Sequence, residues 1–385
     1  MTVRRLCCSL IGVAALCLAP IAAAAPATAG SAAHHPLRVI NYQPTPALGN
    51  AATAGRARRL PTFTSTQTDG GKTFRFTMIG KDPRVHQAKP STTVPSEIIP
   101  LRLVSPGLTP TDPTVGNSCD RTPALTRTLN SPVVKNTTWS FGGTAIGTTQ
   151  YADAFRRAEF WKFTKPGALN PGYHVTLAFK ALPTQTIKVP GADVAESTTS
   201  CGTEMIVEIN WLKQYLRTKL VPKLASQGLV APSTFPLFLT TNTVGYDRYV
   251  FRCCVLGYHN AYSVSGGIQT YGVADYETSG YLPAAANLHD VETASHEIAE
   301  WMDDPLDTNS TMPWGNVGQV SGCQNSLEVA DPLTGRTISR KIGTYTYHVQ
   351  ELAFFSWFYH QKSSIGVNGW YSDNGTFKSP AKICS

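Results

Sequence analysis

A mixed α+β fold is what this sequence predicts, and three observations lead there. Runs with strand alternation and runs with helical periodicity are interspersed, without the regular βαβ order of a parallel α/β protein. Residues 235–276 read as four strand candidates in succession. The composition is loop-rich: 31 glycines and 27 prolines stand against 15% charged residues, which suits a strand-containing extracellular protein better than a helical bundle.

The elements follow in chain order. Residues 73–78 (Thr-Phe-Arg-Phe-Thr-Met) alternate like a strand. Residues 98–104 are a second strand candidate, which Pro100 pushes toward a sheet edge. Residues 150–161 look helical, with Tyr151, Phe155, Ala158 and Trp161 near one face. A strand over 205–210 leads into an amphipathic helix over 211–224, with Leu212, Tyr215, Leu216 and Leu220 inward and Pro222 kinking its end. Strands are expected at 235–241, 249–255, 258–264 and 268–276, then a helix over 288–303. Short strands at 327–331 and 344–348 and an aromatic-rich helix over 350–360 complete the pattern.

The N-terminus reads as an export signal. Arg4 and Arg5 precede an apolar stretch over 9–25, and Ala27-Thr28-Ala29 forms an A-x-A cleavage site with Gly30 first in the mature chain. Pro20 interrupts the apolar run and no second span follows, which argues against a transmembrane anchor. Leu16 is too bulky to precede a lipidated Cys17. The expected organisation is a signal peptide at 1–29, a flexible leader at 30–70, and a single α+β domain at 71–385, strand-rich over 71–200 and carrying the metal site over 201–385. The expected location is secreted or periplasmic, with no membrane anchor after processing.

Charge and cysteines narrow the function classes. The net charge of +8 is scattered, clustering only at residues 56–59, and no basic stripe with interleaved aromatics points to nucleic acid. Of nine cysteines, Cys7, Cys8 and Cys17 lie in the signal. The remaining six allow up to three disulfides in an exported chain. Adjacent Cys253 and Cys254 are expected to take different partners. With no C-x-x-C, a thiolate zinc site is not indicated.

The chemistry concentrates in one helix, Asp290 to Pro305, which Asn287 or Asp290 can cap. Pro305 disfavours helical geometry at Asp304 and stops it there. At about 100° per residue, with His296 at zero, Glu300 falls near +40°, Glu292 near −40°, Asp303 near −20° and Glu297 near +100°. Val291, Ala294, Ile298, Trp301 and Met302 take the opposite side. One face packs; the other gathers a histidine among carboxylates that a divalent cation would neutralise. Positions i and i+4 can reach one ion. In the zincin pattern H-E-x-x-H two histidines bind zinc and the Glu is the base. Here the order is His296-Glu297-Ile298-Ala299-Glu300, with Glu in the second ligand position; zinc still leads, and manganese or calcium fit better than they would at a two-histidine site. Glu328 and Asp331, in Glu328-Val329-Ala330-Asp331, are candidates for further ligands from across a cleft. The bland alternative is a solvated acidic helix face beside a turn acid before Pro332.

The segment from Ser295 to Pro305, followed by Glu328-Val329-Ala330-Asp331, resembles a group of secreted zincin-like proteins with an S-H-E-[IL]-A-E…DP helix and a downstream E-[IV]-[AG]-D. It is similar, more distantly, to the plant EXORDIUM-like (phosphate-induced) proteins. Residues 254–259 (Cys-Val-Leu-Gly-Tyr-His) resemble their C-G-[YF]-H segment. Residues 350–358 and 368–372 resemble the C-terminus of bacterial members. The resemblance implies a zincin-like core of mixed sheet plus an active-site helix, with His296, Glu300 and Asp304 or Glu328 at the metal.

His259 is a weaker candidate, as a third ligand, an oxyanion stabiliser or a hydrogen-bonded strand histidine. Residues 263–267 (Ser-Val-Ser-Gly-Gly) lack the G-x-S-x-G elbow, against a serine hydrolase. Gly142-Gly143 makes no phosphate loop. The leading expectation is a secreted metal-dependent hydrolase, a peptidase acting on polypeptide or cell-surface substrate. His296 and Glu300 bind the metal, Asp304, Glu328 or Asp331 completes the site, and Glu297 deprotonates water. The alternative is a non-catalytic surface protein with a structural metal.

Overall fold

A computed structural model describes residues 38–49, 59–283 and 286–385. The expected signal peptide lies outside the described residues. Eighteen strands and seven α-helices are found among them. Strand residues outnumber helical ones, 38% against 20%, so the α+β class holds.

The centre is a six-stranded sheet: β3 (Thr92–Val104), β6 (Val175–Ala181), β7 (Gln185–Lys188), β10 (Phe235–Thr241), β13 (Gly257–Val264) and β14 (Gly267–Tyr276). Its order is β13-β14-β10-β3-β6, with β7 taking over from β6 along the second half of β3. β13 and β14 pair antiparallel and the other pairs are parallel. β10, with sequence Phe-Pro-Leu-Phe-Leu-Thr-Thr, is buried at every position, as a strand covered on both faces must be. Its alternation sorts the two cores: Phe235, Leu237 and Leu239 face one, and Phe238 faces the other. Pro100 lies in a central strand, not at an edge as expected. The ladder to β6 ends at Ile98 and that to β7 begins at Leu101, so Pro100 sits at the junction.

A four-stranded sheet runs β12 (Cys253–Val255), β11 (Thr243–Tyr246), β9 (Gly202–Glu208) and β8 (Val194–Thr199). Four hairpins surround the sheets: β1 (Thr62–Asp69) with β2 (Lys72–Ile79), β4 (Thr137–Phe141) with β5 (Thr144–Thr149), β15 (Ser310–Val317) with β16 (Val320–Ser326), and β17 (Thr337–Ile342) with β18 (Tyr345–Gln350). Helices α1 (Ala124–Leu129), α2 (Tyr151–Glu159), α3 (Trp161–Thr164), α6 (Glu292–Asp303) and α7 (Phe355–Phe358) contribute to the core on one side of the central sheet. Helices α4 (Ile209–Tyr215) and α5 (Val221–Ser226), joined by one π-helical stretch at Leu216–Leu220, pack into the core on the other. No helix of the described residues is long and apolar enough to cross a membrane.

Several expectations change in detail. Residues 38–49, expected within a flexible leader, lie along the body: Ile40 N donates to Cys254 O at 3.0 Å, and Ala47 N to Ala261 O at 3.1 Å. The leader also loses its last part to β1. The strand expected at 249–255 is only β12, because 249–252 form a turn in which Arg252 N donates to Tyr249 O. Residues 327–331 form no strand, and the aromatic helix shrinks to α7 because β18 takes Gln350 and the chain stays extended to Phe354, with Ala353 bridged to Ser372. Cys253 and Cys254 pair with each other instead of with separate partners, beside Cys119–Cys201 and Cys323–Cys384.

Candidate metal centre

Helix α6 places the centre by packing its other face. Ala294, Ile298, Trp301 and Met302 are buried in the core, and Trp301 stacks on Phe235 with ring centroids 3.8 Å apart. Asp303, inside the helix, is spent in that packing: it pairs with Arg156, which also meets Glu159 at 2.9 Å, all three fully buried. The remaining acidic face looks into a cleft lined by α6, by His259 on β13, by Glu328 and Asp331 after β16, and by Gln350 at the end of β18. Residues 39–44 line it from the opposite side. The cleft leaves about 40 Å³ for water-sized occupants, room for on the order of three waters.

His296 is fixed by a chain of hydrogen bonds. Gln350 Nε2 donates to the Ala330 carbonyl, which can only accept. The other end of the amide, Oε1, therefore accepts from His296 Nδ1 at 2.9 Å. This turns Nε2 to the carboxylates; burial opposes the charged ring, but Glu300 and then Glu297 raise it well above its ordinary value, so Nε2 holds a proton that a bound cation would displace. Nε2 lies 3.0 Å from Glu300 Oε2, 3.5 Å from Asp331 Oδ1 and 4.0 Å from Glu297 Oε1.

Glu300 is held from its far side. Its Oε1 accepts from the backbone N–H groups of Ala330 and Asp331 at 3.1 and 3.2 Å. The downstream Glu-Val-Ala-Asp run thus clamps one oxygen and turns the other toward His296. Asp331 accepts from Gln319 and, at 3.2 Å, from Gln324. The three residues His296, Glu300 and Asp331 offer ligand atoms within 4.8 Å of one another.

Glu297, His259 and Glu300 make an adjoining group. His259 Nε2 faces the Asp304 carbonyl at 3.2 Å, so it is the donor nitrogen. Its Nδ1 points at Glu297 Oε2, 3.7 Å away, and Glu300 Oε2, 3.9 Å away. Those distances are too long for hydrogen bonds but within ion-pair range, and Glu297 Oε2 has no hydrogen-bond partner. Gly257 makes room for this carboxylate: a Cβ there would stand 2.7 Å from Glu297 Oε1.

Asp304 and Glu328, both expected as ligand candidates, form a third group with Asp307 and do not join the His296 group. Asp304 spends its carboxylate on the turn after α6, accepting from Thr308 N at 3.0 Å and Asn309 N at 2.7 Å. Sequence reading gave no role to Gln350 or Asp307, and expected none from residues 39–44. Glutamine carries no charge pattern, and a long-range roof leaves no local signal.

Without a cation the carboxylates are balanced only by His259 and His296, whose rings burial opposes but neighbouring carboxylates raise above the ordinary imidazole value. Burial pushes Glu292 up to about 7, His296 holding it back. Burial also raises Glu297 and Asp331, the latter helped by Glu300. Burial, then Glu300, drives Glu328 well above the usual carboxylate range. Burial opposes the ionised form of Glu300 too, yet His296 holds it below its ordinary value. Buried acidic and histidine groups placed this way could hold a metal ion. Comparisons with family models, curated proteins and solved structures find no match to this chain.

Proposed function

We propose that this chain is an exported metal-dependent hydrolase, a peptidase in class, that works through helix α6. The observation that carries this reading is the placing of His296 Nε2, 3.0 Å from Glu300 Oε2 and 3.5 Å from Asp331 Oδ1. One imidazole nitrogen with two carboxylates suits zinc, with manganese and calcium as alternatives. His296, Glu300 and Asp331 hold the ion. Asp304 and Glu328 stay in the neighbouring acidic group. A cation bound there would offset the buried negative charge, polarise a substrate carbonyl and acidify water.

The chain's own residues do the rest. Glu297 Oε2, free of hydrogen bonds and beside the ligands, accepts the proton of the attacking water. His259, anchored through Nε2 by the Asp304 carbonyl, presents Nδ1 to Glu297 Oε2 at 3.7 Å and attracts it by charge. Gln350 and the backbone of Ala330 and Asp331 hold the ligands in register. The likeness of the Ser-His-Glu-Ile-Ala-Glu helix to zincin-like secreted proteins supports the same reading. Export rests on the signal-like N-terminus and on three disulfides, which persist in oxidising compartments.

A second reading is a structural metal in a non-catalytic surface protein. It is favoured by the small space in the cleft and by residues 39–44 across it, since structural sites are closed. Elemental analysis of the purified mature protein and of His296→Ala tests the metal. Turnover of a denatured protein separates the two readings. The hydrolase reading expects one ion lost in His296→Ala and hydrolysis by the wild type only. A metal-loaded wild type inert on every peptide substrate overturns it.

A further inference from the structure

A second set of carboxylates meets where the two main sheets join, away from α6. Glu204 comes from β9 of the four-stranded sheet. Asp275 lies near the end of β14 in the central sheet, and Glu277 follows it. They are 0%, 1% and 3% exposed, and each offers an oxygen within 4.8 Å of the others. Asp275 and Glu277 are each held by one oxygen only. Asp275 Oδ1 accepts from Thr240 Oγ1 at 2.9 Å and Thr243 N at 3.0 Å. Glu277 Oε1 accepts from Ser279 N and Oγ, both at 2.6 Å, and from Gly280 N at 3.1 Å. Their other oxygens, Asp275 Oδ2 and Glu277 Oε2, have no hydrogen-bond partner.

Glu204 is the independent sign of a ligand. It reaches this point from a different sheet, is fully buried, and neither of its oxygens has a partner. The charged groups acting most on it, Glu277 and then Asp275, are both negative. No lysine, arginine or histidine makes an ion pair with any of the three among the described residues. Burying three carboxylates with four bare oxygens and no counter-charge is strongly unfavourable, and hydrogen bonds to donors do not remedy it here. A cation supplies the missing charge and replaces the protons that carboxylates buried in this way otherwise keep.

We propose that Glu204, Asp275 and Glu277 form a second, all-oxygen cation site of the kind calcium takes. The donor set contains no nitrogen or sulfur, which selects hard cations over zinc or copper. The ion's place explains its use. It fastens β9 to the end of β14, next to the Cys119–Cys201 disulfide, where Cys201 N donates to Ser279 O at 3.2 Å. It also steadies the approach to α6, because Glu277 O accepts from Asp290 N at 2.9 Å, two residues before that helix. The site shares no residue with the α6 centre and stands whether or not that centre is catalytic.

The test is calcium titration of chelator-treated full-length protein, followed by thermal melting and by heat of binding. Wild type, Glu204→Gln, Glu277→Gln and His296→Ala are compared, with circular dichroism as the check on folding. At calcium a hundredfold above Kd, wild type and His296→Ala should melt about 5 °C higher. Glu204→Gln should show no shift, and Glu277→Gln serves the same purpose if the first variant fails to fold. The proposal is overturned if wild type shows neither heat nor shift with calcium, magnesium or manganese. It is equally overturned if the shift survives in the folded glutamine variants and disappears in His296→Ala, which would put the ion on α6.

Discussion

His296 Nδ1 and Gln350 Oε1 are 2.9 Å apart, and this bond decides which nitrogen of the histidine faces the acidic cleft. Gln350 can serve only because its amide is itself oriented by the Ala330 carbonyl. The same backbone stretch donates to Glu300. One short segment therefore aims both His296 and Glu300.

Gln350→Ala should leave the fold in place and weaken metal binding by about 10- to 100-fold, the usual effect of losing a residue that orients a ligand. Competition against a chelating dye measures it. Unchanged affinity would mean that packing alone orients His296.

Much of this was legible in the sequence, for local reasons. Apolar and aromatic runs in 235–241 and 268–276 mark β10 and β14, and the 3.6-residue period marks α6 and puts Glu300 beside His296. What the sequence hid depends on distant contacts. Asp303 falls on the His296 face by angle, but Arg156 draws it into the core. Asp304 is a ligand candidate by resemblance, yet the turn after α6 uses its carboxylate. The pairing of Cys253 with Cys254 and the placing of Pro100 depend on backbone path, which composition does not record.

Asp303→Asn should cost stability and spare the metal. It removes one partner of a fully buried guanidinium, a change worth about 3 kcal/mol. Urea denaturation should show the loss, while metal content stays at the wild-type value. Loss of metal at full stability would return Asp303 to the ligand set.

Asp373 gives a pH dependence away from the cleft. Burial, with Glu351 nearby, holds its folded pKa well above the ordinary value, while it accepts from Tyr151 Oη at 2.6 Å and Leu352 N at 3.1 Å. The folded state thus keeps a proton that the unfolded chain releases near pH 4. Its contribution is full below that pH and is lost as pH rises through the window up to the folded pKa. Wild-type stability measured relative to Asp373→Asn should fall with rising pH across that window. A difference that is flat or rises would show the carboxylate ionised in the fold.

Residues 39–44 should control access to the cleft. Tyr42 anchors them, donating to Asn210 Oδ1 at 3.0 Å and packing edge-on against Tyr258. Tyr42→Ala should speed amide exchange at Ile40 and Ala47 and speed metal release to a chelator, with little change in melting temperature. Unchanged exchange would mean that backbone pairing alone keeps the segment down.

Glu297→Gln separates binding from chemistry. Glu297 Oε1 is 4.0 Å from His296 Nε2, whereas Glu300 Oε2 is 3.0 Å away and clamped from behind. The metal therefore depends on Glu300, and Glu297 stands where a base would. Glutamine keeps the shape and cannot take the proton. The variant should hold metal with wild-type stoichiometry and lose hydrolysis by about 10²- to 10⁴-fold. Glu300→Gln should instead lose the metal. If Glu297→Gln releases the ion as readily as His296→Ala, Glu297 is a ligand, and the base must be sought elsewhere in the cleft.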